Sequence, residues 1–138
     1  MPIAFVDTAY FVALLDPRDR LHQRALDVAK ELAARKARLV TSDAVLFELG
    51  NYFARSPLRA QAIEWIFALR AAPGWTIATI TPALVVRAEA LYRAHTDKTW
   101  SVTDCSSMEI MRDLQIRDVA TTDHGFAQAG FRLLLARA

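Results

Sequence analysis

The sequence predicts an α/β protein: a three-layer α/β/α sandwich around a central parallel sheet. Three observations point there. Short apolar runs alternate with amphipathic stretches along all 138 residues, the pattern of strands joined by covering helices. The first run, "IAFV", is a continuous apolar block, as a buried strand is. No repeat, low-complexity tract or linker interrupts the chain, so residues 1–138 form one domain of a size that supports a real core.

The elements follow in order. "IAFV" (3–6) is a strand ending in "DT", and "AYFVALL" (9–15) is a short helix broken by "DPRD". Residues 20–36 are helical, with Leu21, Ala25, Val28, Ala29 and Leu32 as the apolar stripe. "ARLVT" (37–41) is the second strand, and Ser42 caps the helix "DAVLFELGNYFA". After "RSP", residues 58–72 form a helix stopped by "PG", and "WTIATI" (75–80) is the third strand. Thr81 and Pro82 open a helix that runs to about residue 95, proline being suited to the first helical position. "SVTDCSSMEIMRD" (101–113) is a further helix, "DVATT" (118–122) a strand, and "FRLLLA" (131–136) the last strand.

A hydrophobic fraction of 54% with 23% charged residues describes a soluble globular protein. The longest apolar runs span only a few residues, so no membrane segment is expected. The N-terminus meets an acid at position 7 and lacks a basic region, which argues against a signal peptide. The single cysteine, Cys105, excludes an internal disulfide and a cysteine metal cage and points to a reducing cytoplasm. The net charge of +2 is too slight to indicate nucleic acid, although 14 of the 17 basic residues are arginine.

Ligands of open parallel sheets bind at the carboxyl ends of the strands. Asp7 directly follows the first strand and Asp123 directly follows the strand "DVATT", so both sit at the same edge. Glu48 lies two turns into the helix after the second strand, at the margin of a stripe made by Val45, Leu49 and Tyr52. Asp104 sits in the first turn of its helix, between Met108 and Met111 on the stripe that should face the core, a costly place for an unpaired carboxylate. Each acid also has an ordinary role open to it. Asp7 and Asp123 can cap the helices that follow, Glu48 can be a solvated helix residue, and Asp104 can complete a capping box with Ser101. Four such coincidences at one edge are less economical than one site. Gathered carboxylates repel unless they take up protons or share a cation, and an oxygen-only donor set suits Mg²⁺ or Mn²⁺.

The blocks "FVDTAYFVALLDPRDRLHQRA", "FELG" and "DKTWSVTDCSSMEIMRDLQIRDVATTDHGFAQAGF" carry a resemblance over nearly the whole chain. The sequence resembles PIN-domain ribonucleases and, more narrowly, the VapC-type toxins of toxin–antitoxin pairs. The resemblance implies a PIN-like nuclease domain with a tetrad of Asp7, Glu48, Asp104 and Asp123. It implies that Asp7 and Asp104 are the most direct metal ligands, and that Glu48 and Asp123 complete the site, partly through waters. Asp97 matches an acid often found in that segment and is a weaker candidate ligand. Thr8 and Ser101 are candidate polar supports, and His124 a candidate RNA contact. Relatives often read Asp, any residue, His, Phe after the fourth strand, whereas "DHGF" places Gly125 where that histidine stands. His22 is expected to pack or hydrogen-bond, and His95 to serve a helix end.

The implied reaction is hydrolysis of RNA phosphodiester bonds by a Mg²⁺- or Mn²⁺-dependent endoribonuclease. The implied partners are an RNA substrate, a small antitoxin and a second copy in a homodimer. The helices "AYFVALL" and "LFELGNYF" could form the antitoxin groove and dimer face, although core packing must claim most of those residues. Setting the four acids aside leaves 11 acidic against 17 basic residues, a better surface for RNA than the raw charge suggests. Arg18, Arg20 and Arg24 near the site's entrance and Arg55 and Arg59 near the end of the Glu48 helix are candidate contacts, although a solvated helix face accounts for each of them taken singly. The alternatives are an RNA-processing or quality-control PIN nuclease without an antitoxin, or a binding-only PIN domain. A receiver-like domain would place an Asp after the third strand and a Lys after the last, and neither is present.

Overall fold

Residues 2–136 are described by a computed structural model, in which one or two helices separate each strand from the next. In chain order they are β1 (Ile3–Val6), α1 (Thr8–Leu15), α2 (His22–Ala34), β2 (Arg38–Ser42), α3 (Asp43–Tyr52) and α4 (Arg59–Ala71). Then come β3 (Trp75–Ala78), α5 (Pro82–Ala94), α6 (Val102–Asp113), β4 (Asp118–Ala120), α7 (His124–Gln128) and β5 (Arg132–Leu133). Every pairing is parallel, and the strand order is β3-β2-β1-β4-β5.

That order decides the layers. From β1 the chain steps to β2 and then β3 in one direction, so right-handed crossovers put α1 to α4 on one face. From β3 it returns past β2 and β1 to β4, reversing direction, so α5 and α6 cover the other face. β1 and β4 are therefore neighbours whose outgoing chains diverge, which opens a crevice at their carboxyl ends.

The core explains the short elements. All three of Ala4, Phe5 and Val6 are buried, as a strand covered on both faces requires. In α1 the residues Tyr10, Phe11, Val12 and Ala13 are all buried, and Phe11 meets Trp65 edge-on at 5.3 Å and stacks on Trp75 at 5.7 Å. The aromatics of "AYFVALL" thus belong to the core and not to a surface groove. Ser42 caps α3 by accepting from Val45 N, and Thr81 caps α5 with Pro82 in the first helical turn.

The strand ends differ from the sequence reading. β4 stops at Ala120, because Thr121 N turns back onto Val119 O at 3.1 Å. β3 ends at Ala78, and β5 keeps only Arg132 and Leu133 of "FRLLLA". As an edge strand, β5 has one neighbour to pair with, β4, itself three residues long.

Candidate active site

The crevice beyond β1 and β4 collects the acids. Carboxylate oxygens of Asp7, Asp104 and Asp123 all lie within 4.8 Å of one another. Glu48 lines the same cleft, of about 530 Å³, together with Thr8 and Ser101. Asp97 does not line it: its exposed carboxylate pairs with Lys98 Nζ at 3.2 Å, which holds its pKa below the usual range. His124 is exposed beside Asp123 and is not among the cleft residues.

Asp7 is the most buried of the cluster, at 5% relative exposure. It stands at the N-cap position of α1, yet its side chain makes no cap hydrogen bond. Its Oδ2 instead accepts from Thr121 Oγ1 at 2.8 Å. Burial pushes its pKa up to about 7, against the Thr121 hydrogen bond and with added repulsion from Asp104 and Glu48. Among the described residues no ion pair reaches this buried carboxylate, a costly arrangement.

Asp104 has both of the roles left open by the sequence. Its Oδ2 accepts from Ser101 N at 3.0 Å while Ser101 Oγ accepts from Asp104 N at 2.9 Å, a complete capping box. The same carboxyl faces Asp7 and Asp123, and two oxygens with several lone pairs allow both uses. Burial raises its pKa, the bonds to Ser101 oppose that, and the charges of Asp123 and Glu48 add to it. Met108 and Met111, its neighbours on the helix stripe, are fully buried.

Asp123 caps α7 by accepting from Gly125 N at 2.8 Å, and its own N donates to Thr121 Oγ1 at 3.1 Å. Thr121 is therefore the hinge of the site: one hydroxyl donates to Asp7 and accepts from the backbone of Asp123. Gly125 explains "DHGF". A Cβ there would lie 2.7 Å from Trp100 Cδ1 and 3.1 Å from Asp123 Oδ1. Trp100 is buried, packs against the tilted His95 ring at 4.8 Å and donates Nε1 to Gln128 Oε1 at 3.1 Å, so it cannot easily yield.

Glu48 is half-buried, and its Oε1 accepts from Thr8 Oγ1 at 2.5 Å. Val45 and Leu49 are fully buried, but Tyr52 is 59% exposed and lines the cleft, so it is no part of the apolar stripe. Arg20 also lines the cleft, whereas Arg24 donates to Leu134 O at 3.1 Å and Arg59 to Ala54 O at 2.9 Å, both structural. The His22 ring bonds Ala13 O at 2.7 Å through Nδ1, and the His95 ring bonds Leu91 O at 3.1 Å, as packing and helix-end roles require. A separate apolar hollow of about 470 Å³ between α3 and α4, lined by Phe53, Ile63 and Ile66, holds no acid of the cluster.

Sequence reasoning missed Thr121, Trp100 and Tyr52. The signal for Thr121 was a hydroxyl in a run of core-facing residues, where a buried polar group needs partners. The all-oxygen donor set at this edge fits a hard divalent cation, which would offset both the burial of the Asp7 carboxylate and its repulsion by Asp104 and Glu48.

A search against curated proteins finds no match. Among solved structures, the fold is similar to the crystal structure of VapC20 from Mycobacterium tuberculosis, a toxin that cleaves the sarcin–ricin loop. The TM-score is 0.81 at 28% identity, over 94% of this chain and 96% of that one. A family model of the PIN domain matches residues 4–132, from β1 into β5. With its acids at the divergence of β1 and β4 and that match over most of its length, the chain belongs to the PIN-domain family.

Proposed function

We propose that this protein is a metal-dependent endoribonuclease that hydrolyses RNA phosphodiester bonds as the toxin of a type II toxin–antitoxin pair. The observation that carries the reading is the set of Asp7, Asp104 and Asp123 oxygens within 4.8 Å, with Glu48 in the same cleft. The similarity to VapC20 supports the choice of RNA and the toxin role.

In this reading Asp7 and Asp104 hold Mg²⁺ or Mn²⁺ directly, and Glu48 and Asp123 complete the site and orient the attacking water. When bound, the ion stabilises charge developing on the phosphate and lowers the pKa of a coordinated water. The protein does the positioning. Thr121 fixes the Asp7 carboxylate, Thr8 holds Glu48, and Ser101 and Gly125 N orient Asp104 and Asp123. His124, exposed at the rim, serves as an RNA contact. Asp97, engaged by Lys98 away from the cleft, is given no part.

The proposed partners are a small antitoxin and a second copy of the chain. Phe47 and Phe67 on α3 and α4 are 71% and 58% exposed, an apolar surface suited to such contacts. The proposed setting is a reducing cytoplasm, in which buried Cys105 stays a free thiol. Among the described residues no helix is long and apolar enough to cross a membrane.

The test is incubation of purified protein with structured RNAs in EDTA, then with Mg²⁺ or Mn²⁺ restored. Site-selective cleavage only with the ion is expected. Cleavage in EDTA, or none under any divalent ion, would overturn the reading.

A further inference from the structure

Five acids line the cleft, Asp19 beside the four of the cluster, and repel a polynucleotide, so something else there must hold the substrate against that field. Among its described lining residues one is basic, Arg20, and one is aromatic, Tyr52. Tyr52 lies four residues after Glu48 on α3, so both side chains leave the same face of the helix. Tyr52 is 59% exposed and lines the cleft, and its ring packs against buried Phe53 in a T-shaped pair at 5.0 Å. Arg20 comes from the α1–α2 connection and is exposed, and no ion pair holds it among the described residues. By contrast Arg70, Arg87, Arg112 and Arg132 are all tied to acids.

We propose that Tyr52 stacks an unpaired nucleobase beside the scissile phosphate while Arg20 takes a neighbouring backbone phosphate. The proposal rests on the ribonuclease reading and names the two residues that engage unpaired nucleotides at that site. Every base has a stackable face, whereas a base inside a duplex has none free, so Tyr52 selects for strand state and not for sequence. Arg20 selects for neither and contributes through counterion release.

The test uses a cleavage-silent Asp7→Asn background, with binding followed by fluorescence anisotropy. The two probes are a single-stranded RNA and a blunt duplex RNA of the same length. Tyr52→Ala is expected to weaken single-strand binding about tenfold and duplex binding less than twofold. Tyr52→Phe and Tyr52→Trp are expected to stay within about twofold of the background on both probes. Arg20→Ala is expected to weaken both probes and to lower the salt slope for the single strand by about 0.7. Equal losses on the two probes for Tyr52→Ala, no loss at all, or a Tyr52→Phe as impaired as Tyr52→Ala would each overturn the stacking role. Failure of the background itself to bind either RNA would instead refute the ribonuclease reading. Tyr52 and Arg20 are exposed, and thermal melts confirm that each variant is folded.

Discussion

The hydroxyl of Thr121 donates to Asp7 Oδ2 at 2.8 Å and ties the end of β4 to the end of β1. Because the same oxygen accepts from Asp123 N, two acids of the cluster share one small side chain as their reference point. Thr121 is fully buried, and its hydroxyl is the side-chain donor that opposes the burial of Asp7.

A pH dependence follows from Asp7. Its folded-state pKa of about 7 lies above the ordinary 3.8, so the folded protein holds a proton that the unfolded chain has released. Stability of the metal-free protein should therefore fall as pH rises from about 4 to about 7 and level off beyond, with a total on the order of a few kcal/mol. Asp7→Asn should raise the melting temperature in EDTA at pH 8 and change it little at pH 4. Melts across that range check the sign, and a parent that gains stability between pH 5 and 8 in EDTA would contradict it.

The two roles of Asp104 can be separated by mutation. Asp104→Asn keeps an acceptor for Ser101 N and removes a charge, so metal-free stability should stay level or rise. The stabilisation by millimolar Mn²⁺ should largely vanish, and cleavage should fall by orders of magnitude. Ser101→Ala should cost about 1 kcal/mol with or without metal and leave most of the cleavage intact. Melts in EDTA and in Mn²⁺, alongside cleavage assays, check both variants.

Gly125→Ala forces a methyl group to 2.7 Å from a buried indole. The variant should lose about 1–3 kcal/mol and bind Mn²⁺ more weakly, since the strained turn carries the Gly125 N bond to Asp123. A Trp100→Leu background should shrink the penalty of adding the methyl. Denaturant melts of the four proteins of that cycle give the coupling, and independent, additive losses would show that the contact is not the cause.

Much of the fold was legible because continuous apolar runs such as "IAFV" and caps such as Ser42 and Thr81 are local signals. The ends of β4 and β5 were not, since they depend on which strands pair and where Thr121 turns the chain. Asp7 and Asp123 were legible as residues after strands, and Glu48 and Asp104 as acids beside apolar helix stripes, but their distances depend on the β3-to-β4 crossover that sets β4 beside β1. Tyr52 was misplaced for a similar reason: helical spacing alone puts it with Val45 and Leu49, yet it sits at the last residue of α3, where the ring turns to the cleft. Arg24 could be read from sequence as a substrate contact or a solvated helix residue, and its bond to Leu134 O beyond β5 is a third role that local sequence does not reveal.

Partnership has its own check. Co-expression with a small protein encoded in the adjacent reading frame should yield a stable complex that suppresses cleavage. Phe47→Asp or Phe67→Asp should loosen the complex without touching the acids. Undiminished cleavage with every neighbouring gene product would favour an RNA-processing nuclease.

The central claim is that the acids form one catalytic centre, and non-additivity of cleavage rates tests it most directly. Single-turnover rates in saturating Mn²⁺ should be compared for the parent, Asp7→Asn, Asp104→Asn and the double variant. Each single variant should lose at least about a hundredfold, and the double should fall within about threefold of the worse single. Singles near the parental rate, or losses that multiply in the double, would contradict a shared centre.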